Sequence, residues 1–378
     1  MSAKAELIAD RGEAAASREF FRSRPFLDAE DVTHTLRIDS GEAELLAPLI
    51  VREIPGTEER DAISPYGYPG LSVRARAREG HGPDPASTES EADSPLSPIG
   101  PGQGAALDPR QVAPLDPGEV GPGEVAPIDP NQAAPLDPGQ AAPLDPGQID
   151  FAPTGLVSLF VRHALGDPPL SGAAERNVVQ IADPGLPRKS RASDRNQVNR
   201  NRRAGYEVRL VPGPETSPED RTGFLAAYEQ TMRRAGAGER YFFDAAYFDR
   251  ILESPHAWLV LARAPGGEVA AASIAVRSDG FLHYYLSGSA DAQLRDSPMK
   301  NVVSALCDFA SEQGLPLNLG GGLSRGDRLE EFKRGFANRE QAWRSSEIVC
   351  DPAAYERLSA GHGPSDFFPI YRDAGAPG

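Results

Sequence analysis

A tandem repeat of eight residues constrains this chain more than any other feature of its sequence. Five copies occur between residues 105 and 148, as AALDPRQV, APLDPGEV, APIDPNQA, APLDPGQA and APLDPGQ, and the spacer GPGEV interrupts them once. Each copy has one Leu or Ile, one Asp and one or two prolines, so neither a helix nor a strand ladder can continue through it. One large apolar residue per copy is too few for burial to offset the entropy of ordering. We predict a disordered, partly polyproline-II insert over residues 79–150, and the alternative is a repeated ligand for a protein partner.

The insert carries most of the net charge. The 378 residues have a formal net charge of −16, and residues 80–150 contribute −11 of it, which leaves −5 for the other 307 residues. Two cysteines, Cys307 and Cys350, argue against a disulfide-stabilised secreted domain, and the six histidines have no ligand spacing, so we expect no metal. The N-terminus is charged where a signal peptide is apolar. The longest uncharged apolar run, residues 269–276, is too short to span a bilayer. These features predict a cytoplasmic protein without a membrane span.

The segments on both sides of the insert have the pattern of folded protein. Strand-like runs at 35–38 and 45–54 precede it, and an apolar segment at 156–165 and a strand at 178–181 come after it. We therefore predict that the repeats interrupt one lobe, formed by residues 1–78 and 151–204, rather than connect two independent domains.

A second lobe is predicted from residue 205 to residue 360, with a tail at 361–378. A strand at 206–211 precedes a helix at 218–234, which has Ser217 as its N-cap and Gly236 just beyond it. The later elements are a helix at 245–252, a meander of strands at 258–264, 268–277 and 281–287, a helix that Ser297 and Pro298 open and Gly314 closes, a strand at 315–319, a helix at 329–336 and a strand at 341–349. This order predicts an α/β (α+β) fold with a mixed central sheet.

The same order of elements, together with several short motifs, resembles the Fem family (FemAB-like) of aminoacyl-tRNA-dependent peptidyltransferases. The motifs are SPYGYPG at 64–70, RNQVNRNRRAGYEV at 195–208, ERYFFDAAYFDRIL at 239–252, YYLSGS at 284–289, LNLGGG at 317–322 and EEFKRGF at 330–336. The resemblance covers nearly everything except the insert. It implies two GNAT-like lobes and transfer of an aminoacyl or acyl group to an amine. In the family the donor is aminoacyl-tRNA and the acceptor a peptidoglycan-precursor amine, whereas other relatives use acyl-CoA, so either is expected as a co-substrate and no permanently bound cofactor is implied.

The FKRGF motif implies the catalytic residues Phe332 and Lys333. A cation in this motif could hold a phosphate or the developing oxyanion. Helical spacing sends Phe332 and Phe336 to one face, where they anchor the helix, and sends Lys333 about 100° away, towards the glycine loop. We expect Lys333 to reach the surface, so that its replacement by Ala leaves folding unchanged. The alternative is that Lys333 only occupies a solvated face.

Two positively charged regions are predicted to bind the donor or a nucleotide-linked acceptor. Ser297 and Lys300 lie at a helix N-terminus, where free N–H groups favour phosphate, but the glycine-rich turn of CoA-using relatives is absent there. Between residues 188 and 209 eight basic residues face two acidic ones. Arg195, Arg202 and Arg203 in this run are predicted to bind a polyanion such as tRNA. The alternatives are a plain helix cap and a solvated helix face.

Tyrosines and glycines inside the family motifs are the predicted substrate-binding residues. Tyr66, Tyr241 and Tyr285 line an acceptor groove or are core residues with satisfied hydroxyls. Gly320, Gly321 and Gly322 permit close approach to a substrate or form a flexible turn, and no P-loop sequence comes after them. His283 is a base or, more commonly for such a residue, a packed histidine.

These patterns leave three functions open. The first is aminoacyl transfer from tRNA to an amine-bearing acceptor similar to a peptidoglycan precursor. The second is acyl-CoA-dependent N-acetylation of a small metabolite or polysaccharide precursor. The third is a non-catalytic binding protein whose proline-rich insert recruits a protein partner.

Overall fold

One mixed β-sheet extends through the described part of the chain. The computed structural model describes residues 3–10, 19–75 and 142–373, so the insert predicted over 79–150 lies outside the described residues as far as residue 141. The strands are β1 Ala3–Ile8, β2 His34–Asp39, β3 Ala43–Glu53, β4 Arg60–Ile63, β5 Ser72–Ala75, β6 Ile149–Asp150, β7 Leu156–Arg162, β8 Ala174–Ala182, β9 Glu207–Pro212, β10 Ala257–Arg263, β11 Val269–Ser278, β12 Phe281–Ser289, β13 Leu317–Asn318 and β14 Arg339–Val349. The helices are α1 Arg24–Ala29, α2 Ala192–Arg203, α3 Pro218–Ala235, α4 Ala245–Leu252, α5 Met299–Glu312, α6 Arg328–Arg334 and α7 Pro352–Ser359.

The order of the strands joins the two predicted lobes. It runs β6-β1-β2-β3-β4-β7-β14-β8-β13-β12-β11-β10-β9, and β5 pairs with β3 outside this path. The pairs β1–β6, β4–β7 and β12–β13 are parallel and the others are antiparallel, which confirms the predicted mixed α/β class. Because β14 pairs with β7 on one side and with β8 on the other, the sheet is continuous across the lobe boundary predicted at residue 205.

Several elements of the C-terminal lobe form as their sequence patterns predict. Ser217 caps α3 by accepting a hydrogen bond from the Asp220 N–H at 3.1 Å, and Gly236 ends the helix with a φ of +61°. Strands β10 to β12 form the predicted antiparallel meander. The turn between β11 and β12 places Asp279 and Gly280 at positive φ, as a tight hairpin requires.

An N-terminal segment that the sequence assigns to the first lobe packs into the core of the second. Phe20 and Phe21 are fully buried in one cluster with Tyr228 and Phe248 of α3 and α4. Arg22 is 5% exposed and donates to the Pro69 carbonyl at 2.6 Å and to Asp279. No local pattern shows which part of a sheet a pair of phenylalanines will cover, so this packing could not be predicted.

The last copy of the repeat is ordered, contrary to the prediction of disorder up to residue 150. The Leu144 N–H donates to the Pro169 carbonyl at 2.9 Å, and the Ser171 N–H donates to the Leu144 carbonyl at 2.8 Å. Ile149 pairs with Ala3 and is buried in the core of the N-terminal lobe. The prediction is wrong for residues 142–150 because it considered only apolar residues within the repeat, whereas Leu144 packs on apolar residues outside it.

The segment predicted as a C-terminal tail is also packed, as far as residue 373. Its Arg372 donates to the buried carboxylate of Asp61, which also accepts from Arg52 Nε at 2.9 Å. The Tyr371 hydroxyl lies 2.8 Å from Ser158 Oγ. None of the described helices combines the length and the apolar character needed to cross a membrane.

Candidate functional site

The predicted catalytic lysine lies beneath the glycine loop. Asp327 caps α6 by accepting from the Glu330 N–H at 2.7 Å, and one turn later Lys333 Nζ donates to the Gly321 carbonyl at 2.6 Å. The predicted direction of Lys333 is therefore confirmed. The prediction that it reaches the surface is wrong, because its residue is 8% exposed. Burial lowers the pKa of Lys333 to about 8, and the nearby negative charge of Asp327 opposes this shift.

The two phenylalanines of the same motif anchor the helix as expected. The rings of Phe332 and Phe336 pack edge to face with centroids 5.7 Å apart. Phe336 is 4% exposed, and Phe332 packs on the same apolar cluster beneath α5. This anchoring fixes the side of α6 from which Lys333 reaches the loop. The catalytic role of Phe332 stays a prediction.

Each of the three glycines lies in close contact with a side chain of the protein. A Cβ atom on Gly320 would lie 3.1 Å from Lys333 Nζ, and Gly320 has a φ of +76°. A Cβ on Gly321 would lie 2.5 Å from Asn177 Nδ2, and one on Gly322 would lie 2.4 Å from Asp327 Oδ1. The side chains of Lys333, Asn177 and Asp327 thus lie in close contact with the backbone of this loop.

A hydrogen-bonded histidine connects this loop to β12. Asn318 Nδ2 donates to His283 Nδ1 at 3.0 Å, and the other ring nitrogen donates to the Ser278 carbonyl at 3.2 Å. Asn318 Oδ1 accepts from the Gly320 N–H at 2.8 Å. Burial lowers the pKa of His283 to about 4. His283 is therefore a neutral packed residue that positions Asn318 and the start of the glycine loop.

The structure brings the three predicted substrate-binding tyrosines together. The ring centroid of Tyr66 lies 5.9 Å from that of Tyr285 and 6.3 Å from that of Tyr241. Tyr66 is 38% exposed, and the Tyr285 hydroxyl lies 3.0 Å from the Tyr247 hydroxyl. These residues come from β12 and from loops on both sides of the insert. Their roles in binding stay predictions.

A carboxylate that the sequence patterns did not single out lies beside these tyrosines. Glu30 accepts from the Tyr247 hydroxyl at 2.7 Å and from the Tyr66 N–H at 2.8 Å. Burial raises the pKa of Glu30. It lines an open pocket of about 380 Å³ with Ala29, Asp31, Phe242, Phe243, Asp244 and Tyr247. Glu30 is one of three acidic residues in the sequence LDAEDV, and nothing in this local sequence indicates that it lies beside the tyrosines.

The predicted polyanion-binding arginines lie on α2. Arg195, Arg202 and Arg203 are all exposed, and no carboxylate of the described residues forms a salt bridge with any of them. Their neighbours Arg188 and Arg191 do pair with acidic residues, Asp308 and Glu331. We call Arg195, Arg202 and Arg203 the basic face of α2.

The start of α5 differs from the prediction. Ser297 has a φ of +49° and Pro298 is the N-cap, with no side-chain capping bond. The predicted serine cap is wrong because a capping side chain needs an extended residue directly before the helix. The ammonium of Lys300 lies 2.9 Å from Asp194 Oδ1, so its charge is already paired.

Helix α2 lies against the start of α5 and against the end of α6, the helix that carries Lys333. Asn201 Nδ2 donates to Asn301 Oδ1 on α5 at 2.7 Å and to the Asp296 carbonyl at 2.7 Å. At its other end, the Arg191 N–H donates to the Gly335 carbonyl at the end of α6 at 3.3 Å. The basic face, the start of α5 and the helix of Lys333 therefore belong to one region of the molecule.

The described residues contain no cluster of three or more His, Cys, Asp or Glu side chains suited to a metal ion.

Comparison with known proteins finds a domain match and a fold match for this chain. Residues 188–334 match the acetyltransferase (GNAT) domain family. The crystal structure of FemX aligns over 93% of this chain and 99% of that chain, with a TM-score of 0.52 at 10% sequence identity, which shows a shared fold. Residues 188–334 are thus a GNAT-type domain, and the chain shares the fold of FemX. Lys333, the glycine loop and the basic face of α2 all lie within the matched residues.

Two further solved structures align with part of the chain. L-PGS from Bacillus licheniformis has 17% identity and a TM-score of 0.38, with 47% of this chain and 62% of that chain covered. The chain therefore spans about three-fifths of the length of that relative. A GCN5-related N-acetyltransferase from Kribbella flavida has 16% identity and a TM-score of 0.29, with 52% and 70% covered. A comparison with curated protein sequences finds no match.

Proposed function

We propose that the enzyme transfers an aminoacyl group from an aminoacyl-tRNA to the amine of an acceptor molecule. The observation that carries the proposal is the buried ammonium of Lys333 beneath the glycine loop, in a GNAT domain with an exposed basic face beside it. The resemblance to the Fem family supplies the donor class.

In the proposed reaction the acceptor amine attacks the ester carbonyl of the donor. A C–N bond forms, the carbonyl oxygen becomes an oxyanion, and the C–O bond to the tRNA ribose then breaks. The proton released by the amine passes to the ribose oxygen, so the reaction balances. Lys333 has three N–H donors and uses one on Gly321, which leaves donors for the oxyanion. A preorganised donor in a buried site stabilises such a charge by about 3–4 kcal/mol.

The proposed donor surface is the basic face of α2. A tRNA carries one negative charge per nucleotide, and unpaired arginines gain most from it because they lose no protein salt bridge on binding. Lys300 fits this role less well, because Asp194 already neutralises it.

The proposed acceptor surface is the tyrosine group with the pocket beside it. Glu30, Asp31 and Asp244 line this pocket with three aromatic rings. Carboxylates and aromatic faces both attract ammonium groups. An acceptor that carries a cationic amine matches this lining.

A second candidate function is transfer from acyl-CoA. Ser297 adopts, one residue before the N-cap of α5, the left-handed conformation that glycine usually supplies. One glycine-like backbone position therefore precedes this helix without a glycine. This observation keeps acyl-CoA as an alternative donor.

The test is a matched activity panel. Purified enzyme and a Lys333→Met variant, which preserves the length of the buried side chain, are incubated with charged tRNA or acetyl-CoA and with amine acceptors, and product mass is measured. Aminoacylated product with tRNA, lost in the variant at unchanged melting temperature, supports the proposal. Product with acetyl-CoA alone selects the second candidate. If neither donor gives a product with any acceptor tested, both candidate functions are contradicted.

A further inference from the structure

The last copy of the octad repeat occupies a defined surface of the N-terminal lobe. Leu144 forms a parallel β-bridge with Leu170, through its backbone hydrogen bonds to Pro169 and from Ser171. Leu170 is fully buried, and the Leu144 side chain packs on the same apolar cluster. We call residues 169–171 and the part of this cluster under Leu144 the docking site.

The docked conformation is stabilised by contacts within the copy itself. Asp145 Oδ1 accepts from the Gly147 N–H at 2.9 Å and begins a short 3-10 helix, Pro146–Gln148. The Gln148 N–H donates to the Asp145 carbonyl at 2.9 Å. Because proline fixes φ, this turn is partly formed before docking. Any segment of the same sequence would bring the same turn with it.

The preceding copy has that same sequence. Residues 134–140 and 142–148 both read APLDPGQ and are identical at all seven positions. Leu144 meets the docking site through two backbone hydrogen bonds and its side chain, and Leu136 of the preceding copy offers the same groups. The two copies differ only in the residue directly after them, which is Ala141 for the first and Ile149 for the second.

We propose that the docking site is a peptide-binding site for the APLDPGQ motif, and that residues 134–140 exchange with residues 142–148 in it within one chain. Exchange lengthens the connection to β6 by eight residues and shortens the rest of the insert by the same number. Ile149 stays paired with β1 in both registers, and the extra loop costs little because closure entropy grows slowly with length. The tether keeps the second copy at a local concentration in the millimolar range.

Residues 142–148 are directly followed by Ile149, which is paired with β1, and this continuity favours their occupancy of the docking site in the wild type. The other copies differ from the motif within the seven positions, for example by Glu119 in APLDPGE and by Asn131 in APIDPNQ. The identical copy is therefore the occupant to which the proposal commits.

The experiment uses the full chain and three variants, Leu136→Asp, Leu144→Asp and both together. Melting temperature and amide hydrogen exchange are measured on each. With exchange, Leu136→Asp changes nothing, because residues 142–148 still occupy the site. Leu144→Asp lowers the melting temperature by no more than about 1 °C, and the amide of Leu136 becomes protected as its copy docks. The melting temperature of the double variant falls by more than the sum of the falls in the two single variants.

Two results overturn the proposal. One is that Leu144→Asp lowers the melting temperature as much as the double variant does, with no new protection at Leu136. The other is that Leu144→Asp becomes a dimer at rising protein concentration, which would show that the replacement copy comes from a second molecule. Binding of a synthetic APLDPGQ peptide to the double variant, with recovery of its melting temperature, supports the site independently of exchange.

Discussion

Lys333 is a buried lysine, and its burial changes its pKa. Its residue is 8% exposed, and burial lowers its pKa to about 8 from an ordinary value of 10.5. The Gly321 carbonyl is the one hydrogen-bond acceptor that its ammonium has among the described residues. A cation held in a desolvated site with spare donors is suited to a developing negative charge, since the protein has already accepted the cost of burying it.

The pKa of Lys333 predicts the pH dependence of activity. If the charged form stabilises the oxyanion, kcat/KM falls as the pH rises through about 8. In Lys333→Arg the guanidinium stays charged to above about pH 12, so the residual activity should lose this basic limb. The measurement is kcat/KM from about pH 6 to about pH 11 for both proteins, a range that brackets the lowered and the ordinary pKa of a lysine. Deprotonation of the acceptor amine affects both proteins alike, so equal basic limbs in wild type and Lys333→Arg would contradict the role of the Lys333 charge.

The same shift predicts a change in stability. Below about pH 8 Lys333 is charged in both the folded and the unfolded chain. Between about pH 8 and 10.5 the unfolded chain binds more protons than the folded one, so the contribution of Lys333 to the free energy of unfolding rises with pH. The rise amounts to about 3 kcal/mol at most. Denaturant unfolding of wild type and Lys333→Met at about pH 7 and about pH 10 measures it, and the difference between the two proteins should shift towards the wild type at the higher pH. An equal difference at both pH values refutes a buried, shifted lysine.

Gly320 tests how closely the loop fits the lysine. A methyl group at Gly320 would meet Lys333 Nζ at 3.1 Å and would also force a residue with a side chain into a φ of +76°. Gly314, with a φ of +64° and nothing within 4 Å of its would-be Cβ, is the matched control because it carries only the backbone strain. We expect both alanine variants to lose about 1 kcal/mol of stability, and Gly320→Ala alone to lose at least tenfold in kcat. Equal kcat in the two variants would show that the contact with Lys333 is unimportant.

Among the helices and strands, α2 carries the proposed donor surface. It packs on α5 through Asn201 and on the end of α6 through Arg191, and it presents its basic face to solvent. Its sequence predicted the charge but not these contacts. The contacts depend on Asp194 and Asn201, two polar residues that are buried only once α5 and α6 cover them.

Removal of the basic face should weaken tRNA binding and flatten its salt dependence. The variant Arg195→Ala/Arg202→Ala/Arg203→Ala loses up to three phosphate contacts, so the slope of log Kd against log salt should fall by about 2–3. A matched control, Arg24→Ala/Arg233→Ala/Arg357→Ala, removes three exposed arginines that already form salt bridges with acidic residues. The measurement is tRNA binding between about 50 and 200 mM salt, where counterion release changes affinity strongly. If both triple variants have the same slope, the basic face does not bind the donor.

The whole molecule is connected by segments distant in sequence. Phe20 and Phe21 complete the core under α3 and α4, β14 joins the two parts of the sheet, and Arg372 near the C-terminus reaches the buried Asp61 on β4. The described residues consequently belong to one compact unit rather than to two separable lobes.

The extent of the ordered insert predicts how much of it can be removed. Replacement of residues 82–133 by a short Gly/Ser linker should leave the melting temperature within about 2 °C, because loop length costs little. Replacement of residues 82–148 also removes Leu144 and its two backbone hydrogen bonds, and should cost about 1–2 kcal/mol. Calorimetric melting of both deletions tests this. Equal stability of the two would show that residues 142–148 contribute nothing to the fold.

Features of this protein that depend on neighbouring residues could be predicted from the sequence alone. The caps and apolar periodicity of α3, the Asp279–Gly280 turn and the alternation in β10 to β12 are local, so the C-terminal lobe could be predicted almost element by element. The direction of Lys333 is local in the same sense, since one helical step from Phe332 fixes it.

Burial and the contacts between lobes, in contrast, are properties of the folded chain. The burial of Lys333, the approach of Glu30 to Tyr66, the docking of Leu144 and the continuous sheet through β14 all join segments far apart in the sequence. Desolvation and close packing depend on every atom that surrounds a group, and the sequence pattern around a residue contains only its neighbours along the chain. For this reason Lys333 could be identified from its motif, whereas its lowered pKa required the glycine loop folded over it.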